Sequence, residues 1–200
     1  MKLYWYPGSC SLAVHIALRE CGLAFDMARV DMMTKQLEDG SDYRAINPRG
    51  ALPALALDDG TVLTQAAALM QVAADLAPQA GLLPAGGVER WRVIEWLNHL
   101  ASDLHKGFGI LFDPAAPDDY KATTRERLRG YLAGIDRALA DGEWLANGRF
   151  SLADIYAFVI SNWAGIVGVD LAGLAALDAF RGRVSARPAV AAALKAEGLA

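Results

Sequence analysis

The chain has 200 residues, 54% of them hydrophobic, and a net charge of −4 from 19 basic and 23 acidic residues. The charges are scattered, six basic and nine acidic up to Pro78 and thirteen and fourteen beyond it, which excludes the basic field of a nucleic-acid binder. The longest run without Asp, Glu, Lys or Arg is residues 3–18, broken by Pro7-Gly8 and short of the ~20 apolar residues that span a bilayer.

The N-terminus lacks the basic, apolar, small-residue order of a secretory leader, so a cytoplasmic protein with no membrane partner is expected. Leu3, Tyr4 and Trp5 read as a short buried strand, and residues 11–21 as a helix with Leu12, Ile16 and Arg19 at helical spacing. Between them Pro7-Gly8 supplies a sharp reversal, because Pro fixes φ and Gly tolerates a positive one. Cys10 therefore sits at a helix start with Ser9 or Ser11 as its cap. There the free N–H groups favour an anion, so a lowered thiol pKa is expected. The plainer alternative is a small apolar residue in a tight turn.

Residues 25–30 alternate as a second strand, completing a strand–helix–strand unit, and residues 31–43 are polar and include Lys35. Asn47-Pro48-Arg49-Gly50 is a turn. Two apolar runs, residues 54–57 and 61–63, flank Asp58-Asp59-Gly60 and read as a hairpin, with Pro53 at a strand start. Residues 66–77 form a helix whose start is a second anion-ready terminus. Pro78 ends it, and the Gly- and Pro-containing residues 79–87 mark a domain boundary between residues 1–78 and 88–200.

Everything beyond Val88 reads as helical. Val93, Leu97, Leu100, Leu104, Phe108 and Leu111 make one apolar stripe on a long helix, followed by a charged helix over residues 120–140. Ser151-Leu152-Ala153-Asp154 has capping-box spacing, and Phe150 with Ile155 that of a hydrophobic staple. Residues 155–169 are nearly uncharged, as in a helix buried on most sides, and Pro188 separates two final helices, residues 176–186 and 189–195.

The two cysteines, at opposite ends of one helix, stand ~16 Å apart at 1.5 Å per residue, so they cannot bridge and reduced thiols are expected. No Cys or His sits at metal-ligand spacing near His15, His99 or His105, so no metal is expected. Asn98, Ser102 and His105 fall within ~60° on a regular helix, turned ~100° from the apolar stripe. With Lys106 they form a polar border that is either structural or part of an acid-base or anion site.

The strand leading to Pro7-Gly8-Ser9-Cys10-Ser11, the run Asn47-Pro48-Arg49-Gly50-Ala51-Leu52-Pro53-Ala54-Leu55, and Asp59-Gly60-Thr61-Val62-Leu63-Thr64-Gln65 resemble the glutathione transferases. The cysteine in the turn is similar to that of their bacterial beta class. Leu104-His105-Lys106-Gly107-Phe108 and Arg149-Phe150-Ser151-Leu152-Ala153-Asp154 extend the resemblance over essentially the whole chain. It implies an α/β thioredoxin-like N-terminal domain that binds glutathione and an all-α C-terminal domain that forms a hydrophobic substrate site. It further implies a homodimer that joins glutathione, as substrate, to a small electrophile or carries it through disulfides.

By the same resemblance Cys10, Ser11 and His105 are the catalytic candidates, with Leu52 beside a cis bond to Pro53 and facing the cysteinyl part of glutathione. Gln65 and Ala66 take its γ-glutamyl end, Lys35 lies near its glycyl carboxylate, and Asn98, Ser102 and Lys106 border it. Tyr6, Phe108, Leu111 and Phe112 line the second-substrate site. Gln65 and Ala66 stand where many relatives have an acid and a small hydroxyl residue, so one charge and one hydrogen bond are missing. The rival readings are a non-catalytic binding or regulatory module and a protein that sequesters hydrophobic ligands.

Overall fold

Leu3 and Tyr4 are adjacent and both buried, and because successive strand residues face opposite sides, they require a sheet covered on both faces. The computed structural model describes residues 1–200 and supplies that sheet in the first of two units, which comprises Met1–Leu83 and Arg187–Ala200. The strands β1 (Lys2–Trp5), β2 (Asp26–Arg29), β3 (Ala54–Ala56) and β4 (Val62–Thr64) lie in the order β2-β1-β3-β4, with β1 parallel to β2 and the other pairs antiparallel.

On one face Tyr4 and Ala54, directly paired, pack with Val30 and Tyr43. The Tyr4 and Tyr43 rings are 5.6 Å apart. Leu3 and Leu55 point the other way and are fully buried. Helix α1 (Ser11–Glu20) packs on β1 and on α2 (Ala66–Leu76). Eight of its ten residues are buried, more than one apolar stripe requires, because a third helix also covers it.

That third helix is α8 (Pro188–Ala196), and its position corrects a sequence expectation. Periodicity assigns residues 88–200 to a single helical domain, whereas α8 packs on α1 and Arg187–Ala200 belongs to the first unit. Val190 and Ala193 are fully buried, and Arg187 grips Glu20 with two bonds of 2.7 and 2.8 Å. Pro188 at the first turn stops the preceding helix, so the chain is free to leave in a new direction. Helical periodicity reports that a face is buried and not what buries it.

The second unit, Pro84–Ala186, is all helical: α3 (Gly87–His99), α4 (Lys106–Phe112), α5 (Asp118–Ala140), α6 (Leu152–Val167) and α7 (Ala175–Ser185). The apolar stripe from Val93 to Leu111 is buried throughout, but its helix is not uniform, since residues Leu100–His105 between α3 and α4 form a π-helix. Helix α6 buries twelve of its sixteen residues and contacts α3, α4 and α7. At its start Asp154 accepts from the backbone N–H of Ser151 and Leu145 and from the Ser151 hydroxyl, at 2.8 to 2.9 Å. No helix is long and apolar enough to cross a membrane.

Candidate functional site

Strand registry gathers the candidate residues of the first unit at one end of its sheet. Tyr4 pairs with Ala54 and Ala54 with Thr64, so the turn after β1, the Leu52-Pro53 segment before β3 and Gln65-Ala66 after β4 are neighbours. Trp5 pairs with Arg29, which brings the loop carrying Lys35 to the same end. The peptide bond between Leu52 and Pro53 is cis.

The turn after β1 is knotted by its serines. Ser11 Oγ accepts from the Tyr6 N–H and donates to the Tyr6 carbonyl, each at 3.2 Å, and lies 2.8 Å from Ser9 Oγ, which accepts from the Ser11 N–H. Ser11 is fully buried. The hydroxyl that the resemblance makes a catalytic candidate is thus engaged in shaping the turn.

Cys10 is the residue just before α1, as expected, but its thiol is not acidified. The side chain is buried and donates weakly to the Leu52 carbonyl at 3.5 Å. Burial pushes the thiol up to about 12, against the opposing pull of the Cys10 and Ser11 backbone N–H groups. Helix-end amides do favour a thiolate here, but desolvation is the larger effect and wins. Cys10 is therefore a proton-bearing donor near neutral pH. Both cysteines are free.

The loop that precedes Leu52 is held by two side chains whose partner the sequence does not announce. The Tyr43 hydroxyl and the Asn47 side-chain amide both donate to the Ala51 carbonyl, at 2.9 and 2.7 Å, and Tyr43 is fully buried. Asn-Pro-Arg-Gly announces a turn, but nothing in it announces that Asn47 reaches forward to Ala51. Lys35 has φ 61°, and the end of its aliphatic stem lies 3.7 Å from where a Gly50 Cβ would be, beside the same turn. Gln65, exposed at the start of α2, has φ 76° and ψ 115°. Such a backbone costs a non-glycine residue ~1–3 kcal/mol and marks functional sites, and here it stands one residue before the free N–H groups of a helix start.

In the second unit His105 is the last residue of the π segment. Its Nδ1 lies 2.8 Å from the hydroxyl of the buried Tyr156, and its ring meets the edge of Trp163 at 5.1 Å. Burial, with the Lys106 charge as the lesser cause, pushes His105 down to about 4, so the ring is neutral near pH 7. Asn98 and Ser102 are both exposed and bonded within their own helical run, Asn98 to the Ile94 carbonyl and Ser102 to Asp103, and the π turn alters the 100° step on which their expected alignment with His105 depends. Lys106 is also exposed.

Trp163 joins the apolar candidates, with ring contacts of 5.8 Å to Phe108 and to Phe112. Phe108 is fully buried and Leu111 nearly so, and Phe112 is partly exposed, as is Tyr6 in the first unit. Tyr156 and Trp163 are the residues missed from sequence. A hydroxyl and an indole N–H within the nearly uncharged residues 155–169 were the available signal, since buried Tyr and Trp usually find a partner.

Two family models match, the glutathione S-transferase N-terminal domain over residues 8–76 and the C-terminal domain over residues 99–188. The chain is 49% identical, over the full length of both, to glutathione S-transferase GstA of Escherichia coli O157:H7. Among solved structures it is similar to a sphingomonad glutathione S-transferase complexed with glutathione, at 46% identity and a TM-score of 0.96. It is equally similar to the bacterial beta class enzyme of Sphingomonas chungbukensis, at 46% identity and 0.97, and in both cases the match covers the whole of each chain. An identity near one half along an entire relative, on a backbone that superposes this closely, leaves one conclusion: the chain belongs to the glutathione S-transferase family.

Proposed function

We propose that the protein joins glutathione, through its sulfur, to small and mostly apolar electrophiles, and that Cys10 adds thiol-disulfide exchange. The observation that carries this reading is the convergence of the Cys10 turn, the cis Leu52-Pro53 segment and the start of α2 at one sheet end. In this reading the Leu52 backbone pairs with the cysteinyl part of the tripeptide. Gln65 and the Ala66 N–H receive its γ-glutamyl carboxylate, and Lys35 its glycyl carboxylate. Pro53 shapes the strand entry, and Asn98, Ser102 and Lys106 offer exposed polar groups.

Conjugation forms a sulfur–carbon bond as the leaving group departs with its electron pair; the glutathione thiol proton passes to solvent. What the protein supplies is orientation and N–H groups for the thiolate at the start of α1. His105, neutral and tied to Tyr156, serves as a hydrogen-bonding ring beside the apolar floor of Phe108, Leu111 and Trp163, with Phe112 as its accessible edge; Tyr6 is the exposed apolar side chain beside the Cys10 turn. Val88 and Trp91 on α3, more than half exposed, support burial in a homodimer, and the free cysteines support a reducing cytoplasm.

Turnover of aryl halides, peroxides and mixed disulfides, each with and without glutathione, tests the reading. Glutathione-dependent turnover is expected; calorimetry showing no binding at millimolar glutathione would end it. Binding of hydrophobic ligands alone, with no glutathione dependence, would favour sequestration instead.

A further inference from the structure

Glu197 stands at the C-terminal end of α8, where the helix dipole disfavours a negative charge, and its side chain is fully buried. A buried carboxylate in that position needs partners, and it has two. Oε2 accepts from the Gly8 backbone N–H at 2.9 Å, and Oε1 lies 2.9 Å from His15 Nδ1. His15, also fully buried, accepts at Nε2 from Arg19 Nε at 2.7 Å. Because an arginine Nε–H can only donate, His15 Nε2 carries no proton, and Nδ1–H is the donor to Glu197. The chain of bonds runs from Arg19 through His15 and Glu197 to Gly8 with every polarity matched. Gly8, at φ 66°, is two residues before Cys10, and a Cβ there would meet the Leu199 side chain at 3.7 Å.

We propose that Glu197 is a positioning residue for the Gly8–Cys10 turn. Its carboxylate, oriented by His15 and Arg19, fixes the turn and keeps the Cys10 thiol covered. The tie is local and specific, whereas the Arg187 bond to Glu20 holds the other end of the same helix. The functional part of this inference rests on the reading that the turn belongs to the glutathione site; the structural part does not.

The experiment uses a Cys21→Ser background, so that alkylation by iodoacetamide reports Cys10 alone. Glu197→Gln keeps the shape but offers one acceptor to two donors, so either Gly8 or His15 faces an N–H group. It is expected to raise Cys10 alkylation about tenfold or more by easing local opening, and to raise KM for glutathione while lowering kcat. Arg187→Ala is expected to lower Tm and leave alkylation within about twofold of the parent.

A Glu197→Gln protein that melts lower but alkylates at the parental rate overturns the proposal and leaves a purely stabilising role. If that variant does not fold, amide exchange of the parent decides: the Gly8 N–H should be as protected as the core amides of α1, and fast exchange overturns the proposal. Parent protein without glutathione turnover, but with the expected alkylation change, would refute the functional reading and keep the tie.

Discussion

The Cys10 sulfur and the Leu52 carbonyl are 3.5 Å apart, so the thiol at the start of α1 is bonded to the residue that precedes the cis proline. The contact ties the turn after β1 to the segment that enters β3. It also holds the thiol as a donor, in keeping with its raised pKa of about 12. In the free protein Cys10 should therefore alkylate slowly near neutral pH, with a rate still rising beyond pH 9, where an ordinary cysteine levels off.

Cys10→Ala should separate the two proposed activities. Exchange with a mixed disulfide requires the protein's own sulfur and should be lost. Conjugation of an aryl halide uses the sulfur of glutathione and should largely survive. Equal loss of both at unchanged glutathione affinity would point to one shared thiolate-stabilising role.

Gln65→Glu and Ala66→Ser should each tighten glutathione binding, by at most ~1.5–3 kcal/mol for a restored bond to a charged group. Gln65 is exposed, so the new charge carries little desolvation cost, and the Ala66 N–H is retained in both variants. Calorimetry of the two variants against the parent measures the change directly; weaker binding would place the γ-glutamyl end elsewhere.

Ser151→Ala should cost ~0.5–2 kcal/mol of stability, because it removes one of the three donors to Asp154 at the start of the buried helix α6. Activity per folded molecule should barely change. A variant as stable as the parent but inactive would reassign Ser151 to the chemistry.

Two buried groups of the second unit give opposite pH slopes. Burial raises Asp154 from 3.8 to about 6, so its contribution is full below pH 3.8 and is lost as pH rises through 6. Burial lowers His105 from 6.5 to about 4, so its contribution is full above pH 6.5 and is lost as pH falls through 4. The two largely offset each other in the parent between those limits. Asp154→Asn should leave the His105 slope uncompensated, and urea midpoints should fall more steeply than the parent's as pH drops from 6 to 4.

Gly107→Ala tests the approach of α4 to α5, since a Cβ there would lie 2.8 Å from Leu128 Cδ2. Leu128 is fully buried, so either its side chain or the helix must shift, and a loss of ~1–3 kcal/mol is expected. Unfolding with no loss would mean that the two helices separate easily.

Period and punctuation in the sequence determined most of the architecture. Alternation around Asp59-Gly60 marks the β3–β4 hairpin, Pro7-Gly8 marks the turn into α1, and Ser151 with Asp154 marks the start of α6, because each depends on residues within one or two turns of one another. Helix ends fall within three residues of their sequence-based positions, and the starts of α1 and α2 coincide with them. Tertiary structure decided what depends on distant partners. The acidity of Cys10 is set by burial and not by its helix end alone, and Tyr156 and Trp163 meet His105 from helix α6. The fate of α8 and of Glu197 is settled by α1 and Gly8, almost the whole chain away in sequence. A local pattern records that a side chain must be covered or a charge satisfied; which group does so is fixed only when the chain closes on itself.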